Sequence, residues 1–218
     1  MTKADKIFIK ILEEIQKSEK DNLCYLLPKF AVKKVVTFMS IREDLRFVQD
    51  SLKMIIYYID NNKDVSDTLK KALWHSIIIS YGRCFTDSSK AKLGKLEIRE
   101  YFKESDEKLR LTHELLMDLR HNFIAHRGIT DNEVSVVYFK IPIKSKDKTS
   151  TEYRIKTVRS ILPNIVQLRE IESCVIHLIE IVEQKIKMQT EKVHKMILSE
   201  FTPEMINKFL INNIDLTK

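Results

Sequence analysis

Only three glycines, Gly82, Gly94 and Gly128, occur among the 218 residues of the chain. Average usage would put roughly fifteen in a chain of this length. Each stands alone, so neither G-x-G-x-x-G nor G-x-x-x-x-G-K-[ST] can be written anywhere in it. A doubly wound nucleotide-binding domain depends on such turns to bring backbone amides up to phosphates. That class is excluded. A hydrophobic content of 44% likewise excludes a disordered chain, and the length suits one domain spanning 1–218. The longest stretch without Asp, Glu, Lys or Arg, Ala72 to Gly82, is too short to span a bilayer, so no membrane partner is expected. The first residues do not follow the basic, then apolar, then small-residue order of a leader, so no secretory signal is expected. Cys24, Cys84 and Cys174 are an odd, scattered set without the spacing of a zinc site or a disulfide frame. A reduced, cytoplasmic protein is expected.

Periodicity predicts a mainly α fold. Residues 3–19 read as a first helix, with Ile7, Ile11 and Ile15 on one stripe, and Pro28 breaks the chain after it. From Ser40 the apolar residues Ile41, Leu45, Val48, Leu52, Ile55 and Ile59 follow one helical face. Ser40 with Glu43 makes a capping box, and Asp60-Asn61-Asn62 ends the helix. Residues 66–86 are apolar on more than one side, as in a central helix packed by several neighbours. Ser105 is a candidate N-cap for a helix running to about Arg127, where Gly128 supplies the residue that commonly follows a last turn. The period then changes. Segments 133–141 and 152–160 are β-branched and aromatic, predicting an inserted β-hairpin at about 133–160. A long C-terminal helix is expected over 165–198, with Leu168, Ile171, Val175, Leu178 and Val182 on one face. Thr202-Pro203-Glu204 opens a short terminal helix, so that C-terminal helices fill about 165–213.

Charge is concentrated in the hairpin. Residues 140–159 carry a net +5 (Lys140, Lys144, Lys146, Lys148, Arg154, Lys156 and Arg159 against Asp147 and Glu152), while the rest of the chain carries +2. A basic loop with Tyr138, Phe139 and Tyr153 nearby suits phosphate contact and stacking on unpaired bases. The alternative is a solubilising lysine loop.

The end of the third long helix reads Leu119-Arg120-His121-Asn122-Phe123-Ile124-Ala125-His126-Arg127-Gly128. A core stripe runs through Leu109, Thr112, Leu116, Leu119 and Phe123 to His126, with Asn122 one turn earlier on nearly the same face. On an α-helix, Arg120 lies about 9 Å from His126 along the axis and roughly 120° around it. The helix dipole favours the imidazolium of His126, whereas Arg120, Arg127 and Arg83 oppose it, which suits proton exchange near neutrality. A guanidinium beside such a histidine suits a phosphate and the charge that develops on it in a transition state. Arginine and histidine without an acidic cluster point to phosphodiester chemistry with neither metal nor cofactor, the 2′-hydroxyl of RNA serving as internal nucleophile.

Arginine, a polar residue, then histidine near the end of a helix resembles the HEPN superfamily. Here the motif is Arg120-His121-x-x-x-x-His126, with Asn122, Ala125 and Arg127 flanking. The resemblance implies a HEPN-like helical bundle, a homodimer through the motif helices, and metal-independent endoribonuclease activity of a toxin or phage-defence type, with an antitoxin or defence-system partner. It implies that Arg120 holds the scissile phosphate, that His126 is the acid or base, and that His121, Asn122 and Arg127 support them. Thr130 stands where family toxins regulated by a nucleotidyltransferase antitoxin carry a tyrosine, so that modification is not implied.

Blander readings stand beside these. His126 on a core stripe is also what a buried histidine bonded to a carbonyl looks like. Arg83 is either a further RNA ligand, with Lys140, Lys144, Lys146, Lys148, Arg154 and Lys156, or half of a salt bridge to an acid such as Asp118. His75 and His177 read as satisfied core residues, Cys84 and Cys174 as small buried hydrophobes. A non-catalytic HEPN-like module that binds RNA or protein is the alternative to the ribonuclease.

Overall fold

Pro28 opens a helix instead of merely separating two. Its carbonyl accepts from the amides of Ala31 and Val32, and the chain then runs as one helix, α2, from Lys29 to Asp60. The computed structural model describes residues 2–86, 94–102, 106–125, 133–140, 152–159 and 162–211. Its other elements are α1 (Lys3–Ser18), α3 (Asp67–Cys84), α4 (Ile98–Tyr101), α5 (Glu107–Asp118), a π-helical turn (Leu119–Ala125), β1 (Glu133–Lys140), β2 (Glu152–Arg159), α6 (Ile165–Glu200) and α7 (Pro203–Asn207). The fold is mainly helical, with one antiparallel hairpin and a long C-terminal helix. None of the helices in the described residues is long and apolar enough to cross a membrane.

The capping box expected at Ser40 is absent, because Ser40 lies inside α2. No glycine or proline interrupts Lys29–Met39, so nothing prevents the helix from starting at Pro28. Glu43 instead accepts from Arg42 Nη2 at 2.9 Å. The cap predicted at Thr202 does form, its side chain accepting the Met205 amide, and Ser66 caps α3 in the same way by accepting the Leu69 amide.

Two compact units divide the chain, Ser40–Val182 and the remainder, Met1–Met39 with Glu183–Lys218. In the Ser40–Val182 unit, the α2 stripe of Ile41, Leu45, Val48, Leu52 and Ile55 is buried as its period predicts. Trp74, Ile77, Ile78 and Tyr81 of α3, Leu116 of α5, and Leu168, Ile171, Val175, Leu178 and Val182 of α6 are buried with it. Ion pairs join the helices at its rim, Lys108 to Glu170 and Arg169 to Asp60, both at 2.9 Å.

The other unit is held differently. Cys24–Leu26 and Phe209–Ile211 exchange backbone hydrogen bonds, and Gln16 Nε2 donates to the Ile211 carbonyl at 3.0 Å. The stripe expected on α1 is not what it buries. Ile7 and Ile11 are exposed and Ile15 is half-buried, whereas Leu12 is buried. Phe8, Ile9 and Leu12 widen the apolar arc of α1, so spacing alone leaves the buried side open. The half of α6 beyond Val182 has no buried residue.

Candidate functional site

The motif begins where α5 stops being an α-helix. The amide of Leu119 is shared between the carbonyls of Leu115 and Leu116, and Leu119–Ala125 then continues as a π-helical turn. Such turns have one extra residue per hydrogen-bonded ring and occur often at functional sites. The angular offset deduced for Arg120 and His126 from α geometry therefore does not carry through this segment. His126 and Arg127 lie outside the described residues, as do Ser105, Gly128 and Thr130.

Arg120 is half-buried, and its position depends on a residue of another helix. The π turn packs against α3, and the Arg120 side chain crosses α3 at Gly82. A Cβ built on Gly82 would overlap Arg120 Cδ and come within 2.6 Å of Nε and 3.1 Å of Cγ. The missing side chain is thus the slot that holds the arginine stem. Glycine inside a helix costs about 1 kcal/mol relative to alanine, so its presence among the apolar residues of α3 marks a close approach. Sequence reasoning counted Gly82 without assigning it this role.

His121 and Asn122 follow on the exposed side of the turn. Asn122 Nδ2 donates to Asp118 Oδ1 at 2.5 Å, a bond that bridges the end of α5 and the π turn. Arg83 Nε lies 3.5 Å from Asp44 Oδ2, so the acid it meets is on α2 and is not Asp118. Burial raises the Asp44 carboxyl, with Arg83 pulling it back down.

Tyr81, the residue before Gly82, belongs to a buried polar knot. His113 is 2% exposed, and its ring is surrounded by Phe85, Phe102 and Tyr81. Its Nδ1 is 2.9 Å from the Tyr81 hydroxyl. Burial pushes the His113 imidazole down to about 4, with Glu114 opposing, and pushes the Tyr81 phenol well above its usual range. Near neutrality both groups are uncharged, and the direction of their shared hydrogen bond is set by the histidine tautomer. Cys174 lies 3.9 Å from the same hydroxyl and donates to the Leu109 carbonyl at 3.8 Å, its thiol raised by burial to about 11. Cys84 and Cys174 are buried as expected, but His113 was missed: the stripe through Thr112 and Leu116 left it one position aside. The available signal was Tyr81, since a tyrosine deep in a helical core needs a hydrogen-bond partner. His177 is satisfied as expected, with Nε2 3.2 Å from the Tyr101 carbonyl.

The hairpin pairs Val136 with Lys156, Val137 with Ile155, Tyr138 with Arg154, Phe139 with Tyr153 and Lys140 with Glu152. Because strand side chains alternate, Tyr138, Lys140, Arg154 and Lys156 share one face, while Phe139 and Tyr153 share the other. The three aromatic residues expected to offer stacking surfaces to unpaired bases are therefore split two to one between the faces. Lys144, Lys146 and Lys148 lie outside the described residues. Among the described residues, no group of three or more His, Cys, Asp or Glu side chains is placed to hold a metal ion. No family model, curated protein or solved structure matches the chain.

Proposed function

We propose that the chain is a metal-independent endoribonuclease of HEPN type, acting as a toxin or phage-defence factor. The observation that carries this reading is the seating of Arg120. The first residue of the motif stands on a π-helical turn, with its stem held in the slot left by Gly82. A guanidinium fixed in this way needs little reorganisation when charge builds on a phosphate, and that is where electrostatic catalysis gains most. In the proposed step the 2′-hydroxyl loses its proton to a base and its oxygen attacks the adjacent phosphorus. The P–O5′ bond breaks, and the departing 5′-oxygen takes up a proton. His126 is the proposed acid or base, Arg120 the phosphate ligand. Association of two chains through the motif helices would place two such sets in one groove.

A second reading, a non-catalytic RNA-binding module, draws on the exposed cationic face of the hairpin. Incubating labelled single-stranded RNA with the protein in excess EDTA separates the two. The ribonuclease reading expects cleavage leaving 2′,3′-cyclic phosphate ends, with Arg120→Ala lowering the rate about 10²- to 10³-fold and His126→Ala also strongly impaired. Equal cleavage by all three proteins would place the activity elsewhere. Salt-sensitive binding without cleavage would favour the module.

A further inference from the structure

A two-stranded hairpin normally buries one face, since alone it is marginally stable in water. Here the described side chains of both faces, 136–140 and 153–156, are exposed. Val136 and Tyr138 on one side are 54% and 45% exposed; Val137, Phe139, Tyr153 and Ile155 on the other are 62–80% exposed. The faces differ in chemistry. Around Tyr138, Arg154 stands directly across the ladder, Lys140 lies two residues along β1, and Lys156 occupies the diagonal position on β2. All three cations are exposed, and Glu152 is the acid in register on that face. The opposite face sets Phe139 against Tyr153, ring centroids 6.4 Å apart, beside Val137 and Ile155, with no charged residue among these four.

Single-stranded nucleic acid needs both kinds of contact: cations for its phosphates and a π surface for its unpaired bases. The Tyr138 face brings them within two residues of one ring, whereas the cation in register on the opposite face, Arg159, stands across from Glu133 at the far end of the ladder, six residues from Tyr153. We infer that the Tyr138 face of the hairpin is a binding site for single-stranded RNA. One unpaired base stacks on Tyr138, and Lys140, Arg154 and Lys156 carry the flanking phosphates. The inference rests on the reading that RNA is the ligand of this chain, and it does not need the chain to cleave RNA. Phosphates bring affinity that falls with salt, whereas stacking does not release counterions, so the two contributions separate in a salt titration.

The test measures fluorescence anisotropy of a fluorescein-labelled oligoadenylate across a range of salt, in EDTA and in the Arg120→Ala protein so that the probe stays whole. Tyr138→Ala is expected to weaken binding about tenfold, the loss of one stacked base, with the salt slope unchanged. Tyr138→Phe keeps the π surface and should restore the affinity. Lys140→Gln and Lys156→Gln should each weaken binding and make the log–log salt slope shallower by about 0.7. Phe139→Ala and Tyr153→Ala, which disturb the same ladder from the other side, should change the affinity by less than about twofold. Equal losses on the two faces, or a loss in Tyr138→Phe as large as in Tyr138→Ala, would overturn the assignment. No salt-sensitive binding at all would overturn both the assignment and RNA as ligand. Tyr138-dependent binding by a wild-type protein that does not cleave would leave the assignment standing and remove the ribonuclease reading alone.

Discussion

The end of α5 and the β-hairpin both present cations to a proposed RNA, but the chain holds them in opposite ways. Arg120 is placed by long-range packing: its stem lies in the Gly82 slot of α3, a helix whose Tyr81 bonds to buried His113 and whose Trp74 is 1% exposed. Lys140, Arg154 and Lys156 are placed by strand pairing, and the described side chains on both faces of the hairpin are exposed. A reacting group must be fixed to within a fraction of an ångström, so it belongs on packed elements. A surface that follows a flexible polyanion loses little by being adaptable, because its ligand is equally so. On the proposed reading, the contrast separates positioning from capture within one unit of the chain.

The contrast breaks most directly on stability. Trp74→Ala should cost about 3–5 kcal/mol, as a large aromatic removed from a close-packed site, read as a shifted urea midpoint. Ile155→Ala on the hairpin should stay within about 0.5 kcal/mol. A comparable loss at Ile155 would mean that the hairpin has a packed face after all.

Acid should act on the packed region and spare the hairpin. The folded His113 titrates near 4, below the ordinary 6.5, so between these values the unfolded chain binds a proton that the folded one refuses. Its contribution is complete above about pH 6.5 and is lost as the pH falls toward 4, up to about 3 kcal/mol. His75, also lowered by burial and by Lys71, acts in the same direction; the raised Asp44 offsets part of the loss. His113→Phe should flatten the stability–pH curve over this window in denaturant titrations, while giving up the Tyr81 hydrogen bond at every pH. A curve as steep as that of the wild type would locate the acid sensitivity elsewhere.

Gly82→Ala is the smallest change and the sharpest. In the wild type it forces Arg120 out of its slot or strains α3, an overpacking cost of about 1–3 kcal/mol. With Arg120→Ala already present, the slot is empty and alanine should stabilise the helix by about 1 kcal/mol. Thermal melts of the four proteins read this reversal of sign. A destabilisation of equal size in both backgrounds would show that Gly82 serves something other than the arginine.

Much of this was legible from local order. The stripe of α2 from Ile41 to Ile55, the face of α6 from Leu168 to Val182, the cap at Thr202 and the two strands all follow from spacing and residue type. The errors lie where local signals were compatible with two outcomes. Ser40 with Glu43 reads as a cap, yet fits equally well inside a helix. The isoleucines of α1 line up, but so do its other apolar residues.

For the candidate site the division is sharper. The sequence by itself determined the helical character of the chain, the period of its core faces, the basic hairpin and the presence of Arg120 six residues before His126. Only the tertiary structure decided that the motif begins on a π turn, that Gly82 is the arginine's slot, that His113 is buried against Tyr81, and that Tyr138 parts from Phe139 and Tyr153. The reason is range. Periods, caps and turns are set within a few residues, whereas each of these features depends on residues brought together from distant parts of the chain or on the register in which two strands meet.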